Sequence, residues 1–467
     1  MVRRFNILAM AMAMAIATLA ASAARGADFG FFGRSGDAIE INLSTLPGIF
    51  GGSTFSGLSF GATTGHTLLT SDLLTGQPFA SSGRFWVIPD PSRSTPALGD
   101  VNPGARGFQG ELTGSLLVNG VSKSFSVTVQ PGYTGSGPGS VGQSLESQGR
   151  AANNKLFVVQ QQQRLRYLGF VSQGGAPLVV DGDFGPATNS ALRTFQGAII
   201  GGINTTQANT DGIIGPNSAA WLNAQNAPVW QQIVPEPAYT VSAVQERYGV
   251  SWTMDLISKG TIKAKAATGI TQRITALSTP DGYASSQWHQ THRVGLDIDY
   301  ATNSSTHNYG NGSLSADENN VIKHAIGMID AGASGRVLRI ITSNVDILNG
   351  IAAARPDVSL YNDTSGGHRD HLHFDVGPPT WSNGRANLVG DFNLDDVVDA
   401  QDLAVWRQYY GEVYTGNDFL TWQRRFGSSQ APLGAEAALQ GVPEPQSLSL
   451  LAWSALFWQW RKKRSGQ

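Results

Sequence analysis

The 467-residue sequence contains no cysteine. That excludes disulfide bracing, thiol catalysis and thiolate-held zinc, and it leaves the redox compartment unread. Charge is scarce too: Asp, Glu, Lys and Arg make up 14% of the chain, and the formal net charge of -2 is spread without long runs, which argues against a nucleic-acid partner. Neither of the two apolar stretches, one at the start and one near the end, has the ~20 residues that span a bilayer comfortably. Imidazole is nearly absent outside one segment, because seven of the eight histidines lie between His289 and His373. What is abundant is glycine, 56 residues of it, a composition of loop-rich extracellular proteins. The length allows three or four domains.

The histidine-rich segment holds His292-Arg-Val-Gly295-Leu-Asp-Ile-Asp299 and, later, Gly367-His368-Arg-Asp-His371-Leu-His373. Neutral imidazole and carboxylate suit zinc, and a catalytic zinc takes three protein ligands and keeps one position for water. On a straight strand, at about 3.3 Å per residue, His292 and Asp299 would stand roughly 23 Å apart. The chain must fold back between them, and Gly295 permits it. In His371-Leu-His373-Phe-Asp375-Val376 the alternation is strict, so both imidazoles and Asp375 share one face of a half-buried strand. Val321 to Ile329 reads as a helix and Val337 to Ile341 as a strand.

These motifs resemble the zinc peptidases of the LAS group, and most closely the penicillin-insensitive murein endopeptidases, with HRVGLDID and GHRDHLH as the two signatures over residues 240–378. The resemblance implies zinc held by His292, Asp299 and His373. It implies that one of His368 and His371 accepts a proton from water while the other stabilises the oxyanion. Related D-alanyl-D-alanine peptidases place a Glu where His368 stands, and the family's cysteines are missing here. His289, His307 and His324 match nothing in the pattern and are expected on the surface or on a helix face. Asp297 is the nearest competitor to Asp299, expected as a supporting carboxylate.

Residues 150–228 carry Asp181-Gly-Asp-Phe-Gly-Pro186 and Asp211-Gly-Ile-Ile-Gly-Pro216, each a tight turn followed by Pro at a helix start, with Val158, Gln162, Leu165 and Leu168 along one earlier helix face. This segment resembles the three-helix peptidoglycan-binding domain, although Gly197 to Asn209 is longer than expected. A linker at Val234-Pro-Glu-Pro237 is expected to leave binding and cutting separable.

Residues 388–427 place Asp391, Asn393, Asp395, Asp399 and Asp402 at loop positions 1, 3, 5, 9 and 12, with the Val397 carbonyl between, the oxygen set that calcium needs. The segment resembles a dockerin-type calcium repeat, with Asp396 where a Gly is usual and no second calcium loop. It implies a cohesin-like or other surface docking partner. Residues 28–140 read as an all-β module of unknown role, with Asn119-Gly120 signalling a hairpin, followed by a linker from Pro131 to Gly149.

Residues 1–27 have the parts of a secretory signal peptide: Arg3 and Arg4, an apolar run, and Ala21-Ser-Ala23. Residues 442–464, with Val442-Pro-Glu-Pro445, an apolar stretch and Arg461-Lys-Lys-Arg464, resemble a PEP-CTERM sorting tail, which implies sorting machinery at the membrane; a retained anchor is the alternative. The expected fold class is therefore multi-domain: an N-terminal all-β module, a small three-helix peptidoglycan-binding domain, an α+β zinc peptidase domain with an antiparallel sheet, and a short helical calcium-loop repeat. The expected function is that of an exported zinc peptidase cutting peptidoglycan peptide bonds that involve D-amino acids. The alternatives are a non-catalytic wall-binding scaffold and a D,D- or L,D-carboxypeptidase or amidase.

Overall fold

The computed structural model describes residues 27–428 except 62–64, 92–106, 134–142, 145–154, 202–209, 215–217, 219–220, 223–226, 244, 283–291, 302–310, 333–335, 379–389, 391–397, 409 and 411–415. The signal segment, the sorting tail, His289, His307, Asp391, Asn393, Asp395 and Val397 thus lie outside the described residues, Ala27 excepted. Among the described residues no helix is long and apolar enough to cross a membrane.

The N-terminal module is built on β-strands, as expected, with single helical turns at Leu43–Thr45 and Phe79–Ser82. Strands β1 (Phe29–Arg34), β2 (Ile39–Asn42), β3 (Phe55–Phe60), β4 (Thr67–Leu69), β5 (Arg84–Ile88), β6 (Gly110–Val118) and β7 (Val121–Gln130) form two sheets, ordered β1-β7-β6-β3 and β2-β5-β4. Ile41, Phe85, Leu112, Leu116, Phe125 and Val127 fill one core shared by both. The β6–β7 hairpin closes on the pair Val118 and Val121, with Asn119 and Gly120 at φ 50° and 79°, the two left-handed residues that a two-residue turn demands.

Helices α1 (Lys155–Tyr167) and α2 (Pro186–Ile200) follow, with a two-residue pair between β8 (Gln143–Ser144) and β9 (Ile213–Ile214). Of the expected third helix, Ser218, Trp221 and Leu222 are described. The doubled Asp-Gly motif has a structural meaning here. Gln162 of α1 donates its amide to Asp181 and Thr188 and accepts from the N–H of Gly182. Gln196 of α2 does the same with Asp211, Ser218 and Gly212. Each buried glutamine is thereby satisfied by the loop that follows it.

A six-stranded sheet comes next, ordered β11-β13-β14-β17-β15-β16. Its strands are β11 (Tyr239–Val241), β13 (Gln272–Ala276), β14 (Asp297–Ala301), β15 (Val337–Thr342), β16 (Ser359–Asn362) and β17 (His371–Val376), while β10 (Trp230–Gln232) and β12 (Tyr248–Val250) pair separately. The expected antiparallel sheet is corrected to a mixed one. The inner pairs are antiparallel, but β11 joins β13, and β16 joins β15, in parallel. The chain returns between these parallel partners through helices α3 (Ser251–Thr268) and α5 (Val345–Ala354), as parallel neighbours require a crossover. With α4 (Ala316–Ile329), these helices bury one sheet face: Ile257, Ile322, Met328 and Ile347 pack on Ile298, Tyr300, Leu372 and Phe374. By the period of two, Asp297, Asp299, His371, His373 and Asp375 belong to the opposite face.

The expected linker at Val234–Pro237 is also corrected. Ile233 and Tyr239 on either side of it are core residues of the sheet, and Glu236 accepts a hydrogen bond from Ser258 of α3 at 2.6 Å. One hydrophobic core runs from Phe170, Leu192 and Phe195 of the helical module through Trp230 and Val250 to Val294 and Leu296. Two short helices, α6 (Ala400–Gln408) and α7 (Gly416–Arg425), close the described chain. Asp399 accepts from Gln401 N–H and Asp402 from Asp399 N–H, so these two carboxylates of the expected calcium loop cap α6.

Candidate metal centre

Strand register brings the second motif onto the first. Asp299 of β14 is the direct cross-strand partner of His373 on β17, and Asp297 is that of Asp375. His292 reaches them from the turn ahead of β14. There Gly295 has φ 71°, and a Cβ on it would stand 2.5 Å from Gly249 Cα, so both conformation and space demand glycine. Val294 and Leu296 on either side anchor the turn in the core. The Gly295 carbonyl accepts from Thr253 Oγ1 at 2.6 Å.

Three donor atoms converge. His373 Nδ1 lies 2.9 Å from Asp299 Oδ1 and 3.1 Å from His292 Nε2, and His292 Nε2 lies 3.4 Å from Asp299 Oδ1. A tetrahedron with ligand bonds of about 2.0–2.1 Å has edges of about 3.3 Å, and the observed edges of 2.9–3.4 Å come close to that. The remaining ring nitrogens are committed elsewhere. His292 Nδ1 donates to the Leu277 carbonyl at 2.6 Å and His373 Nε2 to Asp375 Oδ1 at 3.2 Å. The bond to Leu277 fixes the His292 tautomer whose Nε2 lone pair faces the site, and the bond to Asp375 leaves His373 Nδ1 as the atom that would face a metal once its proton is displaced. Arg339 Nε holds the other oxygen of Asp375 at 2.5 Å. His292, Asp299 and His373 are 0%, 2% and 3% exposed, and this donor set could hold a metal ion.

The electrostatics favour a cation between these groups. Burial works against a charged His373, but its hydrogen bonds to Asp299 and Asp375 outweigh that and push the imidazole up to about 10. Burial likewise opposes the Asp299 carboxylate, yet His292 and His373 hold it well below its usual range. A second set, Asp297, His373 and Asp375, also comes close enough for a metal. Burial, with Asp375 and Asp299 nearby, drives Asp297 well above the carboxylate range despite His373, and the Arg339 guanidinium already neutralises Asp375. The first set is the better cation site, and Asp297 Oδ1 lies 3.9 Å from His373 Nε2.

His368 and His371 stand at the same centre. Their ring centroids are 4.9 Å apart, and His368 is 5.6 Å from His373. His371 Nε2 lies 3.9 Å from Asp299 Oδ2 while its Nδ1 meets Asp370 at 2.8 Å. His368 Nδ1 meets Asp363 Oδ2 at 2.8 Å. Burial pulls the His368 imidazole below its ordinary value although Asp363 opposes this. The structure therefore brings together His292, Asp299, His368, His371 and His373. His324 sits on α4, apart from them, where it accepts from Gln272 Nε2 at 2.6 Å and burial lowers it to about 4; it is the helix-face histidine expected.

Sequence reasoning missed Asp363 and Arg339. Asp363 opens Asp-Thr-Ser-Gly-Gly, and its carboxylate accepts from Ser365 N–H at 2.9 Å, a turn signal that was legible. Its grip on a histidine five residues on was not. Arg339 reaches Asp375 because they are register partners, which no local pattern reveals.

Residues 155–199, which span α1, the first Asp-Gly loop and most of α2, match the peptidoglycan binding domain family. No curated protein is similar to the chain at a significant level. The chain thus carries a peptidoglycan-binding module, which supports association with the cell wall.

Proposed function

We propose that this protein is an exported zinc-dependent peptidase that hydrolyses peptide bonds of peptidoglycan, cross-links involving D-amino acids foremost. The observation that carries the reading is the triangle of His292 Nε2, Asp299 Oδ1 and His373 Nδ1, with mutual distances of 2.9–3.4 Å and two further imidazoles beside it. His292, Asp299 and His373 would hold the zinc. Bound there, zinc supplies Lewis acidity that polarises a carbonyl and acidifies water.

The chain's own residues do the rest. Leu277, Asp375 and Arg339 fix the orientation of the two liganding rings. One of His368 and His371 accepts the proton of water and passes it to the leaving amine, and the other supports the oxyanion. The helical module keeps the enzyme on its polymeric substrate. The C-terminal repeat binds calcium and serves docking, and the two chain ends serve export and sorting.

The test is zinc analysis of the purified protein together with mass spectrometry of muropeptides after digestion. One equivalent of zinc and new termini at peptide cross-links are expected. Wall binding without cleavage would leave the scaffold alternative, and release of a terminal D-alanine alone would make the enzyme a carboxypeptidase.

A further inference from the structure

The centre contains two candidate proton carriers, and they are not held alike. His371 Nδ1 meets the carboxylate of its sequence neighbour Asp370, whose side chain is 88% exposed, so water competes for that contact. His368 is gripped at three points. Its backbone N–H and its ring Nδ1 both donate to the same oxygen, Asp363 Oδ2, at 3.0 and 2.8 Å. Its carbonyl accepts from Ser343 N–H at 3.0 Å and Thr342 Oγ1 at 3.2 Å.

Asp363 is itself anchored. Its N–H donates to the Thr342 carbonyl at 3.0 Å, at the end of β15. Its second oxygen accepts from Ser365 N–H and Oγ at 2.9 and 2.5 Å. Its side chain is 11% exposed. A carboxylate that receives four hydrogen bonds is an acceptor only. Burial opposes its charge, but the Ser365 and His368 hydrogen bonds keep it well below the usual range. The ring nitrogen facing it must therefore carry a hydrogen, and the other nitrogen carries the lone pair.

We propose that Asp363 is a positioning residue that locks His368 in the Nδ1–H tautomer and aims Nε2 as the base of the reaction. The proposal rests on the peptidase reading above, and it assigns the proton transfer to His368 and the oxyanion contact to His371. Nε2 takes a proton from water as the water oxygen bonds to the scissile carbonyl carbon, Nδ1–H stays on the ring and hydrogen-bonded to Asp363, and Nε2 returns the proton to the amine nitrogen as the C–N bond breaks.

The experiment uses the full chain loaded with zinc, with the histidine tautomers read from imidazole nitrogen shifts by NMR and His368 assigned through His368→Gln. In the wild type His368 is expected as Nδ1–H. Asp363→Asn presents an amide to one pair of donors, so it is expected to disturb that tautomer, to keep one zinc, and to lose about a hundredfold in kcat with little change in KM. A folded, zinc-loaded Asp363→Asn with wild-type kcat overturns the proposal. So does an Nε2–H tautomer of His368 in the wild type, which decides the matter even if the variant fails to fold. Zinc-loaded wild type that shows the Nδ1–H form yet cuts no muropeptide sinks the peptidase reading and leaves the clamp standing.

Discussion

Asp299 and His373 are direct partners across antiparallel strands, and their facing atoms lie 2.9 Å apart. A slip of one residue in that register would turn His373 toward the helices and put Leu372 or Phe374 in the site. The candidate metal centre is thus specified by the same apolar alternation that builds the sheet's other face, where Leu372 and Phe374 are core residues.

Behind His373 stands Asp375, and behind Asp375 stands Arg339. Asp375→Asn keeps the shape but weakens the acceptor for His373 Nε2–H and leaves the guanidinium without its charge partner. Zinc affinity is expected to fall about 10–100-fold, measured by competition with a chromophoric chelator. Unchanged affinity in a folded variant would show that His373 needs no such support.

Gly295→Ala attacks the centre from the other motif. The left-handed backbone alone costs about 1–2 kcal/mol, and the added methyl meets the backbone of Gly249. His292 is then displaced, so the expected result is zinc loss at preserved secondary structure, read by elemental analysis and circular dichroism. Full zinc occupancy would mean the turn tolerates another shape.

Much of this centre was legible. The alternation in HLHFDV gives a strand that runs from His371 to Val376, and Gly295 marks the turn because its left-handed φ comes with no room for a Cβ. The parallel edges were not legible: β11 has three residues and β16 four, too few for periodicity to declare a direction. The shared core was hidden by Pro235 and Pro237, which read as a spacer although Trp230 and Tyr239 on either side are buried. Asp363 and Arg339 act across turns and strands, and local spacing carries no record of such contacts.

The continuous core makes the peptidoglycan-binding module part of the scaffold of the candidate metal centre. Phe195 of α2 belongs to the same cluster as Val294 and Leu296, which flank the turn of His292. Phe195→Ala is expected to cost about 3–5 kcal/mol and to weaken both sedimentation with peptidoglycan and zinc retention, with a single unfolding transition by calorimetry. Two separate transitions, with zinc affinity untouched, would restore the view that the modules are independent.

The buried His373–Asp299 pair makes metal binding pH-dependent. In the metal-free fold His373 is pushed up from 6.5 to about 10, so its contribution to stability is full below about 6.5 and is lost as pH rises toward 10. Asp299 is held below its usual 3.8, so its contribution is present above that value and is lost as pH falls through the folded value. The pair therefore favours the metal-free fold most between about 4 and 6.5. Zinc needs a neutral His373 and must displace its proton. Binding near pH 8 is thus expected to release about one proton, and the rise in Tm on adding zinc is expected to grow from pH 6.5 upward. Calorimetric titration in buffers of different ionisation enthalpy measures the first, and thermal melts with and without zinc the second. Binding near pH 8 without proton release would show that the imidazole of His373 is not the group that zinc displaces a proton from.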